Sequence, residues 1–182
     1  MNAPPLNVWL LDVNVLIAMT HAAHVHHNEA HLWFGEVRRR RWATCAITQL
    51  AFVRLTSNPR VVGGQITPAQ AVWALAEMAA LPQHEYWPDS PEPLALATLQ
   101  NPALVGHRQV TDAWLLGLAA QRGQRLATLD RGLVSYALAV GLSDHVELVQ
   151  AQAPRPKALA PQESRAQYRA AAVAKQRRRG GK

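Results

Sequence analysis

Residues 7–19 read NVWLLDVNVLIAM, and the fold follows from where the single acid falls in that stretch. Four apolar residues, Val8 to Leu11, run unbroken into Asp12, and apolar residues resume at Val13. A short apolar run without alternation, closed by a polar residue, fits a strand buried on both faces, as in a parallel sheet covered by helices. Asp12 then stands at the carboxyl end of that strand, the edge where open parallel α/β sheets bind ligands. A carboxylate is costly to bury alone, so it requires a cation or several hydrogen-bond donors. Capping the helix that follows is the other role open to an aspartate at this place.

Outward from this stretch, strand and helix patterns alternate. Further short segments at 42–47, 84–87, 125–129 and 146–149 read as strands. The segment 13–20 forms a short helix. Asn28 is placed to cap a second, whose apolar face is Ala30, Trp33, Phe34 and Val37 and whose end is closed by Arg38 to Arg41 near the negative pole of the helix dipole. Thr48 is positioned to cap a helix over 49–56, and the SNPRVVGG stretch breaks it. Thr67 followed by Pro68 opens another, with Val72, Leu75, Ala76 and Ala79 as its buried stripe. Pro91 starts a helix over 92–100. Thr111 caps an apolar helix from Asp112 to Gln121, closed by Arg122 and Gly123, and a last helix spans 132–140. Trp33, Trp73 and Trp114 lie among apolar neighbours on helices and are expected in the core. Strands alternating with helices imply βαβ crossovers and a parallel sheet of four to five strands covered on both faces.

Composition narrows the class. An apolar content of 49% over 182 residues suits one folded domain, here 1–150. Cys45 is the only cysteine, which excludes an internal disulfide or a cysteine-based zinc cage and fits a reducing cytoplasm. No segment approaches the roughly 20 apolar residues of a membrane span, and no signal peptide is expected. The net charge of +7 is unevenly placed. Residues 151–182 hold nine Lys/Arg against Glu163, a net +8, while residues 1–150 hold ten Lys/Arg and eleven Asp/Glu, a net −1. A basic tail of helix-forming residues on a near-neutral body, expected to be disordered or helical only on a partner, reads as a nucleic-acid arm.

Two further aspartates stand in settings like that of Asp12: Asp112 in the first turn of a helix, and Asp130 after the fourth strand. Each has a capping or dipole role available to it. Together they describe three carboxylates converging at one edge of the sheet, where mutual repulsion raises their pKa values unless a divalent cation holds them ionised. Oxygen donors of this kind suit Mg²⁺ or Mn²⁺, which activate water and stabilise a leaving oxygen in phosphodiester hydrolysis. Asn14 and Thr128, two residues from Asp12 and Asp130, are placed to orient those carboxylates.

LLDVNVLIA with Asp12, QVTDAWLLGLA with Asp112 and LATLDRGL with Asp130 together resemble a PIN-domain ribonuclease, most nearly the VapC-type toxins of bacterial toxin–antitoxin pairs. HVHHNEAHLWF and TQLAFVRLTSNP sit where that group has its second and third helices. The resemblance implies a three-layer α/β/α sandwich and Mg²⁺- or Mn²⁺-dependent endonucleolytic cleavage of RNA, with tRNA a frequent target. It also implies a homodimer neutralised by a cognate antitoxin. Metal ligation falls to Asp12, Asp112 and Asp130. The family usually adds an acid near the start of the third helix, where this chain has Gln49, a neutral group that favours one metal over two. A PIN domain that binds RNA without efficient chemistry is the alternative. Other motifs fail. His27-Asn28-Glu29 lacks the cysteines of a zinc deaminase, and HNEAH places its acid wrongly for H-E-x-x-H. Trp87-Pro88-Asp89 has no accompanying C-x5-R, and there is no phosphate-binding G-x-x-x-x-G-K.

Overall fold

Side chains of a strand alternate between the two faces of its sheet, and Val8–Leu11, β1, shows why both faces had to be apolar. Val8 and Leu10 enter one buried cluster and Trp9 and Leu11 enter another. The computed structural model describes residues 7–37, 41–88 and 92–150. All of them fall in one compact unit bounded by Met1–Ala151. Arg38 to Arg40, Asp89, Pro91 and the basic tail 151–182 lie outside the described residues.

Beside β1 the sheet contains β2 (Arg41–Cys45), β3 (His84–Trp87), β4 (Arg125–Thr128) and β5 (Val146–Leu148), all parallel, in the order β3-β2-β1-β4-β5. The helices are α1 (Val13–Thr20), α2 (His27–Val37), α3 (Ala46–Thr56), α4 (Pro59–Val62), α5 (Pro68–Ala79), α6 (Gln109–Gln121) and α7 (Arg131–Ala139). One face of the sheet packs Trp9, Leu11, Trp42 and Ala127 against α1, α2, α3 and α5. The other packs Val8, Leu10, Ala43, Cys45 and Leu126 against α6 and α7. The result is the three-layer α/β/α sandwich expected of the sequence. Among the described residues no helix is long and apolar enough to cross a membrane.

Two devices close the structure around β1. Glu147 of β5 accepts hydrogen bonds from the indoles of both Trp9 and Trp33, each at 2.7 Å, so one carboxylate ties the edge strand to the centre of the sheet and to α2. The histidine-rich segment serves α1. His27 Nδ1 lies 2.8 Å from the Ala18 carbonyl and His31 Nε2 lies 2.8 Å from that of Met19, at the end of a helix whose last carbonyls have no partners of their own.

Several elements differ from the sequence reading, each for a local reason. The 92–100 segment is a 3-10 turn (Pro93–Ala95) followed by turns, not a helix. Two of its carbonyls are taken by side chains: Tyr136 of α7 donates to Thr98 O at 2.5 Å, and the segment's own Gln100 Nε2 donates to Leu94 O at 2.8 Å. Leu96 and Thr98 are buried against α6 at Gly117, where an added Cβ would lie 2.6 Å from Thr98 Oγ1. In α5 Leu75 is buried as expected, but its buried neighbour is Ala71 and not Val72, with Met78 packed beside them, and Ala76 is exposed. Val72 is exposed, and Trp73 is 68% exposed rather than core. Trp33 and Trp114 are buried as expected. α2 begins at His27 rather than after Asn28. α3 begins at Ala46, because Thr48 works as the third residue of a capping box on Cys45 and not as the cap itself.

Candidate active site at the strand-order reversal

The chain runs outward from β1 to β2 and β3, then returns to lay β4 on the other side of β1. Adjacent strands whose connections leave in opposite directions open a crevice at their carboxyl ends, the usual ligand site of such sheets. Asp12 follows β1 and Asp130 follows β4 at that crevice.

Asp12 is 4% exposed and is held by its neighbours. Thr128 Oγ1 and Asn14 Nδ2 each donate to Asp12 Oδ2 at 2.7 Å. Asn14 also donates to Thr128 Oγ1 at 3.0 Å and accepts from Leu129 N–H at 3.0 Å, while Thr128 Oγ1 accepts from Asp130 N–H at 3.0 Å. The backbone of β1 and β4 locks the register, with Asp12 N–H donating to Ala127 O at 3.0 Å. The donors favour the ionised form, but burial outweighs them and pushes the Asp12 carboxyl up, with Asp130 adding to the rise.

Asp112 faces Asp12 across a cleft of about 180 Å³, which Val13, Ile47, Thr48, Ala51, Arg54, Leu55, Thr111 and Leu115 also line. It is the fourth residue of α6, a helix that starts three residues earlier than Thr111 suggested. Gln109 Oε1 there accepts from Gly106 N–H at 3.1 Å and shapes the preceding turn. Burial, then the charges of Asp12 and Asp130, push the Asp112 carboxyl up to about 6. Among the described residues no Lys, Arg or His is paired with any of the three acids.

Asp130 adds its charge to the surroundings of the other two acids but is turned to a different task. Its Oδ1 accepts from Gly132 N–H at 2.6 Å and caps α7, and it does not line the cleft. Among the described residues no three His, Cys, Asp or Glu side chains stand close enough to hold one metal ion together. The structure therefore brings Asp12 and Asp112 into one cleft and holds Asp130 beside it. Gln49 is also outside the cleft lining. Its Nε2 donates to Thr44 Oγ1 at 2.8 Å, and Thr44 Oγ1 lies 2.8 Å from His84 Nε2, so the amide ties α3 to β2. From α3 the cleft receives Thr48 and Arg54, which the sequence reading passed over. Ile47, Thr48, Ala51, Arg54 and Leu55 recur at three- and four-residue spacing, the signature of one helix face, and that pattern was available to find them.

The PIN domain family model matches residues 9–138, a span that contains Asp12, Gln49, Asp112 and Asp130. The chain belongs to the PIN-domain family. It is 43% identical over 130 residues to Ribonuclease VapC39 of Mycobacterium tuberculosis, covering 71% of this chain and 94% of that protein. It is 41% identical over 128 residues to Ribonuclease VapC38 of the same species, covering 70% and 89%. The crystal structure of PAE2754 from Pyrobaculum aerophilum matches with a TM-score of 0.47 and 20% identity, over 79% of this chain and 94% of that one. In this PIN domain the matched stretch ends at residue 138, so the basic tail belongs to the chain's own extension beyond the family model.

Proposed function

We propose that this PIN domain is a divalent-metal-dependent endoribonuclease toxin of the VapC type, acting on cellular RNA such as tRNA in the cytoplasm and neutralised by a cognate antitoxin. The observation that carries this reading is the pair of carboxylates, Asp12 and Asp112, facing one cleft at the strand-order reversal, with no Lys, Arg or His of the described residues paired with either.

The donor set fits a hard cation. Burial first, and then the charges of Asp12 and Asp130, push the Asp112 carboxyl up to about 6, and a divalent ion would favour its ionised form. Mg²⁺ is commonly bound through one or two carboxylates plus waters and substrate phosphate oxygens, so Asp12 and Asp112 suffice without a third direct ligand. When bound, Mg²⁺ or Mn²⁺ supplies positive charge to the phosphodiester and acidifies an attacking water. The chain's residues do the rest. Asn14 and Thr128 fix the Asp12 carboxylate, and Asp130 adds negative charge from its place at the head of α7. Gln49 holds α3 against β2 so that its cleft-lining face stays in register. The +8 charge of residues 151–182 supports a role in gripping RNA. The exposed apolar side chains Leu50 on α3 and Val72 and Trp73 on α5 support a protein partner, a second copy of the chain or the antitoxin.

The test is cleavage of RNA by the pure protein. Asp12→Ala and Asp112→Ala should each abolish a cleavage that EDTA stops and Mg²⁺ or Mn²⁺ restores, with folding intact by circular dichroism. A variant that cuts as well as the parent removes its acid from the mechanism. A second reading is an RNA-binding module with little chemistry, favoured by the neutral Gln49 and by the commitment of Asp130 to its cap. RNA binding without metal-dependent cleavage would decide for it.

A further inference from the structure

The cleft that holds Asp12 and Asp112 is also lined by a cation. Arg54 reaches it from α3, yet among the described residues it makes no hydrogen bond and no ion pair, with these acids or any other group. A guanidinium beside a carboxylate ordinarily pairs with it in short, charge-assisted bonds. Here the side chain is exposed and its five N–H donors are unspent. Three other arginines, by contrast, are engaged. Arg41 pairs with Glu85 at 2.5 Å, Arg125 with Glu147 at 3.5 Å, and Arg122 sits 5.0 Å over the Trp87 ring and donates to Pro88 O.

The placement follows from α3. The capping box of Cys45 and Thr48 fixes the start of the helix, with Cys45 N–H donating to Thr48 Oγ1 at 3.0 Å, and Arg54 shares a helix face with Ile47 and Ala51, about two turns beyond Ile47. Long helical side chains lean back toward the N-terminal turn, which carries the guanidinium toward Thr48 and the acids. A cleft of two carboxylates repels an RNA backbone, so a phosphodiester entering it needs a counter-charge of matching shape. The planar fork of arginine meets two phosphate oxygens at once, and it keeps its charge at all relevant pH values, so it acts by grip and electrostatics and not by proton transfer.

We propose that Arg54 is the phosphate-binding residue of this site, its guanidinium holding non-bridging oxygens of the phosphodiester brought up to Asp12 and Asp112. The proposal rests on the ribonuclease reading for its substrate, and the experiment separates the two. Arg54→Gln and Arg54→Lys are made in the full chain, with thermal melts to check folding. Cleavage of fluorescein-labelled bulk tRNA is measured with Mg²⁺, and binding of the same tRNA is measured in EDTA across a salt series. Arg54→Gln should cleave about 100-fold more slowly, and its log-affinity against log-salt slope should flatten by about one phosphate contact. Arg54→Lys should keep the slope, since the charge remains, but cleave about 10-fold more slowly because the two-point grip is gone. An unchanged slope in Arg54→Gln overturns the proposal whether or not the parent cleaves. Lysine at 54 cutting as fast as the parent overturns it too, leaving only a charge near the end of α3. If the parent fails to cleave while the slope still flattens, the ribonuclease reading falls and Arg54 stands as a phosphate ligand.

Discussion

Replacing Asp112 with asparagine should make the metal-free protein more stable. Its carboxyl is pushed up to about 6 from an ordinary 3.8, by burial first and then by Asp12 and Asp130. A pKa raised on folding means that the native state holds the proton more tightly than the unfolded chain does. The stabilising contribution is thus complete below pH about 4 and is lost as the pH rises through about 6. At neutral pH the folded protein bears the whole cost of the ionised form. Two pKa units at about 1.4 kcal/mol each give about 3 kcal/mol, and screening at this partly exposed group brings that to about 2 kcal/mol. Asparagine keeps the shape and drops the charge. In EDTA near pH 7, Asp112→Asn should therefore melt about 4–8 °C above the parent. That gap should close as the pH is lowered toward 4. Added Mg²⁺ should narrow it from the other side, because only the parent gains much from binding. Thermal melts followed by tryptophan fluorescence, run across this pH range with EDTA or Mg²⁺, measure all of this. A variant less stable than the parent near pH 7 in EDTA, or a gap that does not change with pH, would refute the reasoning.

Three other substitutions probe the frame around the acids. Thr128→Val removes the hydroxyl that donates to Asp12 and accepts from Asn14 and Asp130, and should cost about 2–4 kcal/mol in urea unfolding while slowing cleavage. Glu147→Gln turns one end of the carboxylate into a donor facing an indole N–H, so it should cost about 1–3 kcal/mol, read by urea titration of tryptophan emission. Gly117→Ala forces a methyl group to within 2.6 Å of Thr98 Oγ1 and 3.0 Å of Leu96 Cδ1. It should lose about 1–3 kcal/mol by calorimetry despite the better helix propensity of alanine.

The sheet was legible because β1 is a short, unbroken apolar run ending on an acid, and because short strand patterns alternate with helical ones along the rest of the chain. The contact of Asn14 with Asp12 followed from spacing, whereas Thr128, expected to orient Asp130, gives its hydroxyl proton to Asp12 across the two strands. The site was less legible where side-chain direction mattered. Asp130 sits at the expected edge, yet the nearby Gly132 N–H claims its oxygen, and no pattern of residue types distinguishes a capping aspartate from a ligand. The α5 stripe takes Ala71 in place of Val72 because alanines fill both candidate faces, and only packing against α3 chooses between them. The false helix at 92–100 has the composition of a helix, but Tyr136, 38 residues away, and the bare backbone of Gly117 decide otherwise. Such long-range partners leave no local trace.

The reversal of strand order between β1 and β4 has a consequence for the timing of synthesis. Asp12 emerges from the ribosome among the first residues, but the hydroxyl that orients it lies 116 positions later and the Glu147 carboxylate that ties Trp9 lies 138 positions later. A nascent or truncated chain ending before residue 128 has every side chain that lines the cleft but lacks the Thr128 hydroxyl that holds Asp12 and the end of the strand that pairs with β1 beside it. The two carboxylates are therefore set in place only when almost the whole folded unit has left the ribosome.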